Sequence, residues 1–300
     1  MSKTAKWLLG IFGFLFLFVV FIVVVVSVFL SESETEDISS GSGGTIALVE
    51  LKEPIISSED FVRQLKRYRD NMNVRAIVVR IESPGGGVAA SQEMYEEVKK
   101  TRTSGKPVVV SMGSVAASGG YYVACGADKI VANPGSITGS IGVISQFMHF
   151  NQLMEKIGID ATTIKSGKLK DSGSPLRPMT KEDKEYFQQM IDDVHDQFVT
   201  TVAEERKLKK DEVRKLADGR VFTGRKAYEL KLIDTLGTFE DALRLAADLA
   251  HIEGKPRVIK ERKKERWTDI LFGDVRSEFD KLKSELLDQP IVQYRYVQPQ

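Results

Sequence analysis

Two glycine-rich elements carry the residues best placed for chemistry: Glu82-Ser-Pro-Gly-Gly-Gly-Val88 and Gly113-Ser-Val-Ala-Ala-Ser-Gly-Gly-Tyr-Tyr122. Each follows an apolar run that predicts a strand and precedes a stretch that predicts a helix. Glycine at such turns permits positive φ and lets a ligand approach the backbone closely. The free N–H groups at a helix start also point toward whatever sits above the strand ends. Two loops of this kind can jointly form an oxyanion hole for a carbonyl under attack, and the second carries Ser118 as a candidate nucleophile. Rival motifs are missing. No G-x-G-x-x-G is present, and Gly85–Gly87 lacks the Lys-Ser/Thr of a Walker loop. The G-x-S-x-G elbow is absent as well, so Ser118 needs a base from another scheme.

The scarce residues narrow that scheme. A single cysteine, Cys125, excludes an intramolecular disulfide framework and any multi-cysteine zinc or iron–sulfur site. His149, His195 and His251 stand far apart without metal-ligand spacing. A serine hydroxyl is weakly nucleophilic until a neighbour accepts its proton, and serine–lysine pairs are an established alternative to the triad. Moving a lysine from ~10.4 to about 8 corresponds to roughly 3 kcal/mol against the charged form, within reach of a low-dielectric pocket. Lys165-Ser-Gly-Lys-Leu-Lys-Asp-Ser-Gly-Ser-Pro175 offers Lys165, Lys168 and Lys170, and composition does not choose among them.

The elements that must hold these loops read as an α/β domain. Strands are predicted at Thr45–Leu51, Val74–Ile81, Pro107–Met112 and Lys129–Ala132. Helices are predicted from Ser57 and Ser58 through Tyr68, over Ala89–Thr103 and over Ala116–Gly126. Strands alternating with helices of this length suggest a largely parallel sheet, and the continuous apolar runs suit strands covered on both faces. The second half is more helical: Thr180–Arg206, Asp211–Leu216, Arg225–Leu230 and Thr238–Ala250. Met112, Met148 and Cys125 read as packing residues, and Tyr121 and Tyr122 as packing beneath the Ser118 loop.

The chain has 300 residues, 43 Lys plus Arg against 42 Asp plus Glu, and a formal charge of +1. That balance gives no whole-chain case for binding nucleic acid, yet the charges are segregated. Residues 7–30 carry no charge and, as a helix, would span roughly 36 Å, enough for a bilayer core. Lys3 and Lys6 precede the stretch and Glu32, Glu34, Glu36 and Asp37 follow it, which places the N-terminus in the cytoplasm and the rest outside. Residues 31–44 read as a flexible acidic Ser/Gly linker and residues 45–254 as an extracytoplasmic catalytic domain. Residues 255–300 hold a basic segment and an amphipathic helix from Trp267 to Leu286.

Five motifs in one order carry a resemblance: Ser83–Val88, Met112–Tyr122, Asp128–Ala132, Thr138-Gly-Ser-Ile-Gly-Val143 and Ser166-Gly-Lys-Leu-Lys-Asp171. Together they resemble bacterial signal peptide peptidase A, the SppA family, in its short single-repeat form, over about Thr45 to Ala250. The resemblance implies a Clp-protease/crotonase-like α/β fold of repeated ββα units, with an N-terminal transmembrane helix and a helical C-terminal region. It implies a membrane-anchored serine peptidase that needs no cofactor or metal and hydrolyses remnant signal peptides and other small apolar peptides. In its terms Ser118 is the nucleophile, Lys170 the general base, Gly119 with Gly86 (or Gly85) the oxyanion donors, and Ser140 the hydroxyl that orients the lysine. It further implies a ring-like homo-oligomer in the bacterial inner membrane, with the catalytic domain on the periplasmic side. The alternatives are a non-catalytic scaffold of the same fold and a crotonase-type acyl-CoA enzyme.

Overall fold

The computed structural model describes Trp7 and residues 12–22, 35–262 and 293–296. The chain divides into two units, residues 1–36 with 261–264 and residues 37–260 with 265–300. In the first, residues 12–22 are helical and their large apolar side chains are exposed. Among the described residues no helix is long and apolar enough to cross a membrane. Much of the expected 7–30 anchor, and the helix expected from Trp267 to Leu286, lie outside the described residues.

The second unit is built on a mainly parallel sheet. In chain order its strands are β1 (Thr35–Ser39), β2 (Thr45–Lys52), β3 (Val74–Ser83), β4 (Gly85–Gly87), β5 (Val108–Ala117), β6 (Lys129–Ala132) and β7 (Ile137–Gly139). After these come β8 (Val221–Thr223), β9 (Thr235–Leu236), β10 (Arg257–Glu261) and β11 (Gln293–Arg295). The helices are α1 (Glu59–Asp70), α2 (Val88–Thr103), α3 (Gly119–Ala124) and α4 (Asn151–Lys156), then α5 (Lys181–Arg206), α6 (Lys210–Leu216), α7 (Gly224–Glu229) and α8 (Phe239–Leu249). The main sheet runs β1-β10-β2-β3-β5-β6-β9, with β7 beside the far end of β5 and β8 antiparallel to β7. A separate antiparallel pair joins β11 to β4.

The period of two along each strand builds two cores. Ala47, Val49, Ile77, Val79, Val108 and Val110 face one layer, packed with Leu65, Val98, Tyr121 and Phe198 from the helices. Ile46, Leu48, Ala76, Val78 and Val109 face the other, where Ala242, Leu243, Ala246 and Ala247 of α8 cover them. Both faces are therefore dry, as the apolar runs predicted. The long helix α5 starts on a capping box: Asp183 N–H donates to Thr180 Oγ1, and Thr180 N–H donates to the Asp183 carboxylate.

Four expectations are corrected. The linker expected over residues 31–44 contains a strand, β1, which adds to the sheet edge beside β10. The basic segment is in part a strand as well: β10 lies parallel to β2 from Arg257 to Lys260, and Val258 and Ile259 are buried. The helix expected from Ala116 begins only at Gly119, because Val115–Ala117 continue β5 to pair with β7. Met148 is exposed rather than packed.

Candidate active site

Strand β5 pairs with β6 over Val109–Met112 and then with β7 over Val115–Ala117. Between the two pairings the backbone is held by a side chain. Glu82 accepts from Ser114 N (2.9 Å to Oε1, 3.0 Å to Oε2) and from Val115 N (3.1 Å to Oε1). A Cβ on residue 113 would overlap this carboxylate, so a side chain there would displace Glu82 from the two amides. Beyond the held turn, β5 ends at Ala117 and the chain enters α3 through Ser118.

Ser118 has φ 54° and ψ −117°, a backbone conformation that a residue with a Cβ adopts only when its surroundings enforce it. Two bonds enforce it here: Ser118 N donates to Gly139 O (2.8 Å), and its carbonyl accepts from Tyr122 N (2.8 Å). The side chain is 1% exposed, and its Oγ has no hydrogen-bond partner among the described residues. A buried hydroxyl without a partner is unfavourable by about 1–3 kcal/mol, and such groups concentrate where chemistry is done.

The glycines gather around it. A Cβ on Gly119 would stand 3.2 Å from Gly85 Cα and from Gly86 N, and 2.5 Å from Ser91 Oγ. Gly85 lies at φ 93° and donates its N–H to Ser83 Oγ (3.2 Å), while Gly87 donates to Ile55 O (2.8 Å). Gly86 is the member of the trio whose N–H faces β11. Tyr296 N donates to Pro84 O (2.7 Å), so the alternation of an antiparallel ladder makes Gly86 and Tyr294 the next hydrogen-bonded pair. The Tyr294 carbonyl thus lies against Gly85, where a Cβ would collide with it and would stand 2.5 Å from Gly119 N.

Strand β11 is bonded along its other edge too. Gln293 and Ile144 exchange both backbone bonds (3.0 and 3.1 Å). The Tyr294 ring is fully buried, stacked on Tyr122 (centroids 5.2 Å apart) and tilted against Phe198 (4.6 Å), and its hydroxyl donates to Val194 O (3.1 Å). An extended segment therefore occupies a channel between β4 and Ile144, with one side chain in an aromatic pocket. No pattern in the sequence pointed to residues 293–296 as part of this site, because four residues are too few for a periodicity signal.

Ser140 is 5% exposed, next to the Gly139 carbonyl that binds Ser118 N, and its own N–H donates to Arg220 O (2.9 Å). Lys170 is elsewhere. It is exposed, in a segment from Ile157 to Leu176 without strand or helix, and it is not a hydrogen-bond partner of Ser118. The other two lysines of that segment are engaged: Lys165 pairs with Asp171 (2.5 Å) and Lys168 with Glu182. Lys170 has no ion pair among the described residues of its own chain. The structure thus brings Ser118, Gly85, Gly86, Gly119 and Ser140 together and gives Lys170 no bond to Ser118.

The lysine segment and α4 form an apolar arm. Met148, Phe150, Leu153, Ile157, Ile159 and Ile164 are all exposed, Ile164 at 96%. Cys125 caps the C-terminal end of α3, where burial pushes its thiol up to about 12.

A relative in Methanocaldococcus jannaschii is 43% identical over 200 residues, 67% of this chain and 64% of that protein. Protease 4 of Salmonella typhi is 33% identical over 268 residues (84% and 42%), and the chloroplastic serine protease SPPA of Arabidopsis thaliana is 37% identical over 216 (70% and 32%). The chain thus spans just under two thirds of the first relative and less than half of the other two. The solved structure of a Listeria monocytogenes ClpP1 mutant is similar at a TM-score of 0.46 and 17% identity, over 65% of this chain and 94% of that one. Residues 100–253, just over half of the chain, match Peptidase family S49, so the motifs read first as a resemblance are a kinship: the chain belongs to peptidase family S49, with the SppA and protease 4 proteins.

Proposed function

We propose that the chain is a membrane-anchored serine endopeptidase that cleaves remnant signal peptides and other apolar peptides outside the cytoplasm. One observation carries the reading. A buried, unpartnered serine sits in an enforced backbone conformation beside glycine N–H groups, and an extended segment already lies across them. Peptide docking by strand addition along β4 explains why extended, apolar chains suit the channel, with main-chain bonds for affinity and the Tyr122–Phe198 pocket for a side chain.

In this mechanism Ser118 Oγ attacks the scissile carbonyl while Lys170 Nζ takes its proton. Gly86 and Gly119 N–H groups hold the oxyanion, an acyl-enzyme forms, and the protonated amine gives its proton to the leaving nitrogen. Water then repeats the sequence on the acyl-enzyme. Ser140 holds the amine beside Ser118. Lys170 reaches Ser118 from a neighbouring copy in a ring-like homo-oligomer. Its exposure and the bare apolar arm that carries it support that arrangement. The uncharged residues 7–30 and the flanking charges support an inner-membrane anchor with the catalytic domain on the periplasmic side.

The test uses the full chain in detergent with a fluorogenic apolar peptide. Ser118→Ala and Lys170→Ala each abolish turnover. Co-assembled at equal amounts they recover about a quarter of wild-type activity, since half the serines meet half the lysines at random. Turnover by either variant alone sinks the dyad. No recovery on mixing places both residues in one chain. Failure of a fluorophosphonate to label wild-type Ser118 favours the scaffold.

A further inference from the structure

The segment that carries Lys170 has no regular structure, yet one side chain fastens it. Arg177 Nε and Nη2 donate to the two oxygens of Asp171 (2.9 and 2.8 Å), the residue after Lys170. The same guanidinium turns its Nη1 and Nη2 to Asp183 (2.5 and 3.2 Å), and Nη1 also reaches Pro178 O (3.0 Å). Asp183 is 2% exposed and caps the first turn of α5, and it accepts from Ser172 Oγ (2.6 Å) as well. Helix α5 in turn is anchored in the core by Phe198, Val199 and Val202. A continuous set of charge-assisted bonds therefore runs from the buried body of the domain to the peptide unit of Lys170.

We propose that Arg177 is a positioning residue for the reaction, holding Lys170 in place by clamping Asp171 to the Asp183 cap of α5. The inference rests on the reading of Lys170 as the base. Only a planar guanidinium can serve both carboxylates through paired donors, whereas a lysine at 177 would offer a single point of charge. The Arg177 hydrogen bonds, helped by Lys165 at Asp171 and by Ser172 and Thr180 at Asp183, hold both carboxyls far below the usual carboxylate range. The clamp thus stays ionised wherever the enzyme works. Its turns are local as well: Lys170 N donates to Gly167 O (3.1 Å) and Ser172 N to Leu169 O (3.1 Å), so a shift of Asp171 carries Lys170 with it.

The experiment compares Arg177→Met, Arg177→Lys and Asp171→Asn with Lys170→Ala in the full-length protein. Asp171→Asn leaves the Arg177–Asp183 link and the helix cap intact and weakens the bonds that Arg177 and Lys165 make to the residue after Lys170. The expected result is a fall in kcat of about 10–100-fold for all three clamp variants, with KM within about twofold, as for a base displaced by an ångström or so. Arg177→Lys fails to rescue. Wild-type kcat in Arg177→Met or Asp171→Asn overturns the clamp. So does a loss in Arg177→Met that is matched by a lower unfolding midpoint while Asp171→Asn stays fully active. Activity retained in Lys170→Ala overturns the assignment of the base instead, and leaves the two failures distinguishable.

Discussion

Removing the Glu82 carboxylate should loosen the turn that delivers Ser118, and the geometry gives a size for the effect. Glu82 takes Ser114 N and Val115 N on the same oxygen, Oε1, at 2.9 and 3.1 Å, while Oε2 shares Ser114 N. Hydrogen bonds to a charged group contribute about 1.5–3 kcal/mol each, but water can take over at the exposed Ser114. Val115 is half-buried, so its amide is the one left without an acceptor. Glu82→Ala therefore costs about 2–4 kcal/mol of stability. Glu82→Gln keeps an oxygen in the Oε1 position but loses the charge and replaces the Oε2 acceptor of Ser114 N with an NH2 donor, so about 1–2 kcal/mol is expected. Gly113→Ala drives a methyl group into the same carboxylate, and its damage should largely overlap that of Glu82→Ala. The double variant is then no worse than either single one, a clear departure from additivity. Urea denaturation gives the stabilities and peptide turnover the consequence, with kcat falling about 100-fold wherever the turn is lost. Additive losses, or Glu82→Gln as harmful as Glu82→Ala, would show that the carboxylate is not what holds β5 in register before Ser118.

Two further outcomes are expected. Burial, the main cause, pushes the Cys125 thiol up to about 12, so a thiol reagent at pH 8 should leave the native protein unmodified and react at once in denaturant. Rapid labelling of the folded protein would contradict its placement. Asp183 has its carboxyl held far below the usual range by Arg177, so its contribution to stability is present above the unfolded value of ~3.9 and is lost only as pH falls well below it. Asp183→Asn should therefore lower the thermal midpoint equally at pH 5 and pH 7; a difference already gone at pH 5 refutes the assignment.

What the sequence made legible follows from where its signals are strong. Val74–Ile81 and Pro107–Met112 are long, β-rich and apolar on both alternations, which is why the central strands and the two-faced core could be read directly. The glycine loops were legible as a site because Gly85, Gly86 and Gly119 meet for a local reason, each sitting at a strand-to-helix turn. Ala116–Gly126 misled because Ala116 and Ala117 favour helix locally, and pairing with β7 overrode that preference through Ala117. Strands β1, β10 and β11 were illegible for a different reason. They are five residues or fewer and two of them are rich in charge, so only tertiary pairing, β1 with β10, β10 with β2 and β11 with β4, makes them strands. Lys170 marks the remaining limit: a motif names it, but nothing in one chain's sequence or fold brings it to Ser118.

The placement of β10 has a bearing on how this protein is made. Strand β2 emerges early in synthesis, but one of its two edges is covered only by residues that come about 200 positions later. At roughly 5–20 residues per second, that edge stays open for about 10–40 s on a ribosome. Arg257, the first residue of β10, binds Asp37 across 220 positions through Nε and Nη2 (2.9 and 3.0 Å). Long-range parallel pairing of this kind is slow to form and leaves an aggregation-prone edge in the meantime. A chain stalled or cut before residue 257 would hold the Ser118 loop complete and leave the β2 edge of its sheet open.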